Sequence, residues 1–309
     1  MTHAHRTRRS ARLVLPAVLA LAALTGCGRL DQLTYDPPTT PEQWCAARPC
    51  VDVGGTVFNE PLGSLLVFVL AAMWIGVGVW FLARAQQQRS RVWLGVALIL
   101  GGIGTGLAGI SYQAFSYELK CAGRSLCLLT NGFEVGYSVA QAASVSAMLI
   151  AVTFACTIAG LRRGLIIFAL ANVCVYLVVT AYGVLAPNAV ALSFTVLTLF
   201  EVPALIIVII IAARRRRRTH DETSTSLLIA ALLLIAIHLA YFGYWMLGLA
   251  DSVRSATGVY FSENDVLHVG MILWLIYVWR VVGRHLRDAE SVAAGCGRAH
   301  NRLPAPGRG

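Results

Sequence analysis

Ionisable side chains are scarce in this 309-residue chain, of which only 13% is Asp, Glu, Lys or Arg. The few that fall inside apolar stretches therefore carry chemical meaning, because placing such a group in hydrocarbon costs about 2.5–3.5 kcal/mol on insertion scales. Glu134, Asp265 and His268 stand where apolar stretches begin, Ser111 and Gln113 stand where one ends, and Glu201 and His238 stand in the middle of two others. A carboxylate, an imidazole and a hydroxyl brought to one place could bind a polar ligand. They could equally start a Zn²⁺ site, with Glu134 and His268 as ligands and water or one further oxygen from Asp265 or Ser111 completing it. Each has a plainer use as well. A carboxylate in the first turn of a helix complements the helix dipole, which would suffice for Glu134 and Asp265. His238 could be a hydrogen-bonded packing residue, and Glu201, two residues before Pro203, could serve backbone groups that the proline frees.

The elements that must position these residues are membrane spans. Hydrophobic residues make up 57% of the chain and fall in long blocks, not in alternation; this is membrane composition. Seven blocks, at roughly 63–83, 91–112, 134–160, 164–185, 189–213, 226–248 and 264–283, each reach the ~20 apolar residues that a bilayer requires. The expected fold is an all-α seven-transmembrane-helix bundle. Span two ends where spans three and seven begin, so Ser111, Gln113, Glu134, Asp265 and His268 share one depth, and their convergence in one polar pocket is the expectation. Glu201 and His238 each lie about 18 Å along their spans, near the midplane. Six glycines in span two, including Gly102-x-x-x-Gly106, and the face Ala140, Ser144, Ala147, Ala151 and Ala155 of span three allow close helix approach within the bundle. Tyr241, Tyr244, Trp245, Trp274, Tyr277 and Trp279 are expected to anchor span ends at the interface.

Orientation follows from the arginines. Arg84, Arg89 and Arg91, then Arg162 and Arg163, then Arg214 to Arg218, then Arg284 and Arg287 occupy alternate connections, which the positive-inside tendency assigns to the cytoplasm. The mature N-terminus is then outside and the C-terminus inside. The net charge of +10 is accounted for by these clusters, and nucleic-acid binding is rejected. Lysine occurs once, at Lys120, against twenty-four arginines; the imbalance looks like codon composition, and no mechanistic role is read from it. Residues 1–26 read as a lipoprotein-type signal, with Arg6, Arg8, Arg9 and Arg12 before an apolar stretch and Leu24-Thr25-Gly26-Cys27 as its lipobox. A lipid on Cys27 is implied. The chain then divides into an exoplasmic segment with turns (27–62), the membrane domain (63–284) and a tail (285–309) read as disordered. Cys45, Cys50, Cys121 and Cys127 all fall on the outer side, where oxidation is permitted. Local pairs Cys45–Cys50 and Cys121–Cys127 are the preferred pairing of three; a metal site is the rival, without a Cys-x-x-Cys or a nearby histidine to support it.

Gly109-Ile110-Ser111 ending span two, Phe133-Glu134 starting span three and Asn264-Asp265-Val266-Leu267-His268 starting span seven resemble the CREST superfamily of alkaline ceramidases and progestin/adipoQ receptors. The resemblance implies seven spans and a serine, acid and histidine set around zinc that hydrolyses an amide. Phe115 stands where that family's first histidine belongs, Glu134 where its aspartate does, and Asn264 where another histidine does. One of three histidine ligands is present. The stretch from Tyr117 through Cys121 and Cys127 to Tyr137 also looks like that of uncharacterised bacterial membrane proteins. Three functions compete: a lipid- or ligand-binding bundle, a divergent CREST-like metal-dependent hydrolase of a lipid amide or ester, and a transporter. The partner common to all three is membrane lipid.

Overall fold

The computed structural model describes residues 28–289. Cys27, the signal and the tail from residue 290 lie outside the described residues. Seven helices are long and apolar enough to cross a membrane: Pro61–Ala83, Arg89–Ala114, Gly132–Cys156, Ala159–Leu185, Phe194–Thr219, Glu222–Met246 and Glu263–His285. The protein is an all-α seven-helix bundle and a multi-pass membrane protein. Because successive spans run in opposite directions, the bundle has two ends. One carries the cysteine-containing segments and the other carries the four arginine clusters.

Helix starts are set by side-chain caps. Asn131 accepts hydrogen bonds from the backbone N–H groups of Phe133 and Glu134 ahead of span three, Ser193 from Val196 ahead of span five, Asp221 from Ser224 ahead of span six, and Ser262 from Asp265 ahead of span seven. Each satisfies amide donors that the first helical turn leaves open. Several ends differ from those expected. Span three stops at Cys156, where Thr157 is already extended. Span five starts later, at Phe194, and runs on through Arg214 to Arg218. These arginines thus form a last helical turn, where cations complement the C-terminal dipole. Between spans six and seven lies a short helix, Leu249–Thr257, without a buried residue.

Span three is the centre of the bundle, with 67% of its most apolar window buried against 17% for span four. Its small residues do the work expected of them: Ala140, Ala147, Ala151 and Ala155 are buried, and the Ser144 hydroxyl donates to the carbonyl of Ala97 on span two at 2.8 Å. Spans one and two approach more closely still. A Cβ on Gly95 would stand 2.9 Å from the carbonyl of Gly78, and one on Gly102 would stand 2.9 Å from that of Ala71. Gly106 has only the Ala71 methyl within 4 Å, at 3.9 Å, so the tight positions are Gly95, Gly101, Gly102 and Gly109, not the Gly102/Gly106 pair. Trp274 departs from its expected place at the interface. It is buried, stacks on Trp74 at 5.4 Å and donates its indole N–H to the carbonyl of Ala230 at 2.9 Å. A buried tryptophan needs such a partner for its N–H.

The segment before span one is more ordered than a run of turns. Pro41–Ala47 is helical behind a Thr40/Gln43 capping box, and strands β1 (Cys50–Val53) and β2 (Thr56–Asn59) form an antiparallel hairpin. The Cys45–Cys50 bridge joins the helix to the hairpin, and Cys121–Cys127 closes the loop between spans two and three. The two units dock on each other: Leu129 N–H donates to Leu33 O at 2.8 Å, Cys127 N–H to Thr39 O at 2.9 Å and Tyr117 N–H to the Asn59 side chain at 2.9 Å. Together they cap the disulfide end of the bundle.

Candidate functional site

Under this cap the last turn of span two widens into a π-helical turn, Gly109–Ala114. A π turn is rare and recurs at functional positions. It turns Ser111 and Gln113, only two residues apart, towards different neighbours. The five residues expected in one pocket accordingly enter two polar clusters.

The first cluster is an ion-pair network. Glu134 Oε1 lies 2.5 Å from Lys120 Nζ and accepts from the Ser111 hydroxyl at 2.8 Å, while the Asn131 amide donates to Ser111 Oγ at 2.7 Å. Lys120 also donates to the Tyr35 hydroxyl at 3.0 Å and to the Leu129 carbonyl at 3.1 Å. Its ammonium lies 5.0–5.7 Å from the ring centroids of Tyr35, Trp44 and Tyr112, within cation–π range. Lys120 and Glu134 are 1% and 4% exposed. Lys120, to which the sequence assigned no role, is therefore a buried member of the cluster. Its partner could have been sought from Glu134 itself, since an ionised carboxylate at the start of a span needs a cation, and the bridge between Cys121 and Cys127 folds Lys120 back onto it.

The second cluster surrounds Gly63 in the first turn of span one. A Cβ there would stand 2.9 Å from Asp265 Oδ1, 3.1 Å from Gln113 Nε2 and 3.5 Å from Glu60 Oε2, so three polar side chains, from spans two and seven and from the cap, face one point on span one. Asp265 uses Oδ2 to accept from the backbone N–H and hydroxyl of Ser262, at 2.7 and 3.1 Å. Its Oδ1 has no partner, and neither Nε2 nor Oε1 of Gln113 has one. His268 lies one turn along the same helix face from Asp265, 8% exposed, with Nδ1 also unpartnered. Glu60, which the sequence reading missed, is 7% exposed and adopts a left-handed backbone conformation just before Pro61. Burial pushes its carboxyl up to about 7, against the opposing pull of Arg48, whose guanidinium is 3.8 Å away, while the charges of Asp265 and Glu263 push it further up.

The midplane residues do not meet. His238 faces outwards and holds the carbonyl of Leu234 on its own helix, Nδ1 to O 2.8 Å. Glu201 is half-buried with Oε1 unpartnered.

The zinc that the CREST resemblance implies needs oxygen and nitrogen donors free to face a cation. Glu134 instead accepts from an ammonium and a hydroxyl, and Lys120 would place a positive charge beside the metal. Phe115 stacks edge-on to Phe58. Among the described residues no group of three or more His, Cys, Asp or Glu side chains could hold a metal ion. These donors do not fit a three-ligand zinc centre. No protein-family model matches the chain, and no curated protein matches it.

Proposed function

We propose that this is a multi-pass protein of the bacterial plasma membrane, lipidated at Cys27, with its mature N-terminus outside. Its bundle binds the ammonium or hydroxyl group of a lipid headgroup or a small solute at the Gly63 cluster. The observation that carries the reading is the set of buried atoms without partners on Gln113, Asp265 and His268. Each such atom costs about 1–3 kcal/mol unless something meets it, and a bound hydroxyl or ammonium would donate to Asp265 Oδ1, the unpartnered atom nearest the Gly63 point. The local charge points to a cationic donor. Two carboxyl groups, of Glu60 and Asp265, face the point while Lys120 is committed to Glu134, and the neighbouring cation, Arg48, lies 3.8 Å from Glu60 Oε1. The outside position of this end is supported by the arginine clusters at the other end and by the two disulfides at this one.

Ethanolamine added to the purified protein in a non-ionic detergent, and phosphatidylethanolamine in mixed micelles, test the reading by thermal unfolding. The protein should be stabilised by one or both, which separates a soluble amine from a headgroup. Gly63→Ala, which puts a methyl group at the point of convergence, and Gln113→Leu should each remove that stabilisation. Stabilisation that persists in both variants, or that neither probe produces, would refute the site.

A further inference from the structure

A second recess lies at the opposite, arginine end of the bundle, between spans one and seven. Trp80, Arg84, Trp279, Arg280 and Arg284 line an open volume of about 300 Å³. Arg84 lies over the Trp80 ring at 4.7 Å, and Arg280 over the Trp279 ring at 4.4 Å. Stacking on a ring face holds a guanidinium in place while leaving its N–H edge free to donate. No carboxylate pairs with Arg84, Arg280 or Arg284 among the described residues, although other arginines at this end are committed. Arg215 pairs with Asp221 at 2.8 Å, and Arg91 donates to the carbonyls of Leu286 and Gly283 at 3.1 and 2.8 Å. Three guanidinium groups thus converge without a counter-charge among the described residues.

The surroundings select the kind of anion. The recess sits at the end of two spanning helices, between tryptophans of the sort that favour the headgroup level. Towards the middle of span one, at one-turn steps from Trp80, come Gly76 and Ala72, both exposed, and nothing stands within 4 Å of where a Cβ on Gly76 would be. On span seven Ile276 and Leu273 are exposed, at 42% and 62%. These residues form an exposed apolar surface on spans one and seven that runs from the recess towards the middle of the bilayer. We propose that the recess binds the phosphate of an anionic phospholipid, with the three arginines donating to phosphate oxygens and one acyl chain lying along Gly76 and Ile276. The proposal is independent of the Gly63 site.

Native mass spectrometry of the detergent-released full chain, with phosphatidylglycerol or phosphatidylcholine of identical acyl chains added, tests it. Phosphatidylglycerol should be retained several-fold more than phosphatidylcholine, and sn-glycerol 3-phosphate at the same concentration should not displace it. The combined Arg84→Gln, Arg280→Gln and Arg284→Gln variant should lose the preference. The combined Arg216→Gln, Arg217→Gln and Arg218→Gln variant, with the same change of charge elsewhere on this end, should keep it. Ile276→Trp leaves all the charges and puts a bulky ring in the proposed path of the acyl chain, so it should lower phosphatidylglycerol retention even if the arginine variant fails to fold. Equal retention of the two lipids, a preference that survives in the first triple variant, or an unchanged retention in Ile276→Trp would overturn the proposal. Displacement by glycerol 3-phosphate would overturn the lipid as the occupant.

Discussion

Replacing Lys120 by methionine keeps the length and apolar stem of the side chain and removes only its charge. Because Lys120 and Glu134 are 1% and 4% exposed and 2.5 Å apart, the substitution strands a buried carboxylate that keeps hydroxyl donors such as Ser111 but no cation. Breaking a buried pair from one side costs about 3–5 kcal/mol, whereas a loop lysine replaced at the surface would change stability by no more than ~0.5 kcal/mol. The two expectations differ enough to be separated. Unfolding in mixed micelles of rising SDS content, followed by tryptophan fluorescence, should place Lys120→Met several kcal/mol below the wild type. Replacing both partners, Lys120→Met with Glu134→Leu, should recover most of the loss, because a buried pair exchanged for packed apolar groups is often near neutral. The coupling obtained from the four proteins should then be about 3 kcal/mol or more. It should also change little with salt, since buried charges are poorly screened. Lysine also ties Tyr35 to the bundle, so Lys120→Met should speed proteolysis within residues 28–60. A Lys120→Met protein as stable as the wild type, with an unaltered cleavage rate, would refute the network as a structural element.

Glu60 should make stability fall with rising pH. Its carboxyl titrates near 4.5 when unfolded and at about 7 when folded, so between these values the native state holds a proton that the unfolded state has lost. Stability is therefore full below pH 4.5, declines by roughly 3 kcal/mol in all and levels off above pH 7. Glu60→Gln should flatten that window; an unchanged profile would assign the dependence to another group. For topology, a reporter active only in the cytoplasm should give signal when fused after Arg218 or Arg287 and none after Ser252, and the opposite pattern would invert the orientation.

The seven spans are legible because each depends on local composition: a run of ~20 apolar residues crosses a bilayer whichever helix it packs against. Glycines and alanines in spans two and three likewise announce close packing, although which glycines touch depends on how span one lies, and that placed Gly95 and Gly102 at the tight contacts. The cysteine pairs are readable as well, being five and six residues apart in the chain. The place of Trp274 was not, because an aromatic residue at the middle of span seven can face lipid or the core until a neighbour such as Trp74 is in place.

The polar residues divide in the same way. That Ser111, Gln113, Glu134, Asp265 and His268 lie at one depth follows from where spans begin and end, which is information carried along the chain. Which of them meet is decided by rotation about each helix axis and by what packs above them. One π turn separates Ser111 from Gln113, the cap brings Tyr35 and Glu60 down onto the bundle, and a disulfide-closed loop buries the chain's single lysine beside Glu134. Hydrophobicity acts on each segment alone, so sequence suffices to read it. A charge buried beside its partner is stable only as a pair, and only the tertiary structure makes the pair.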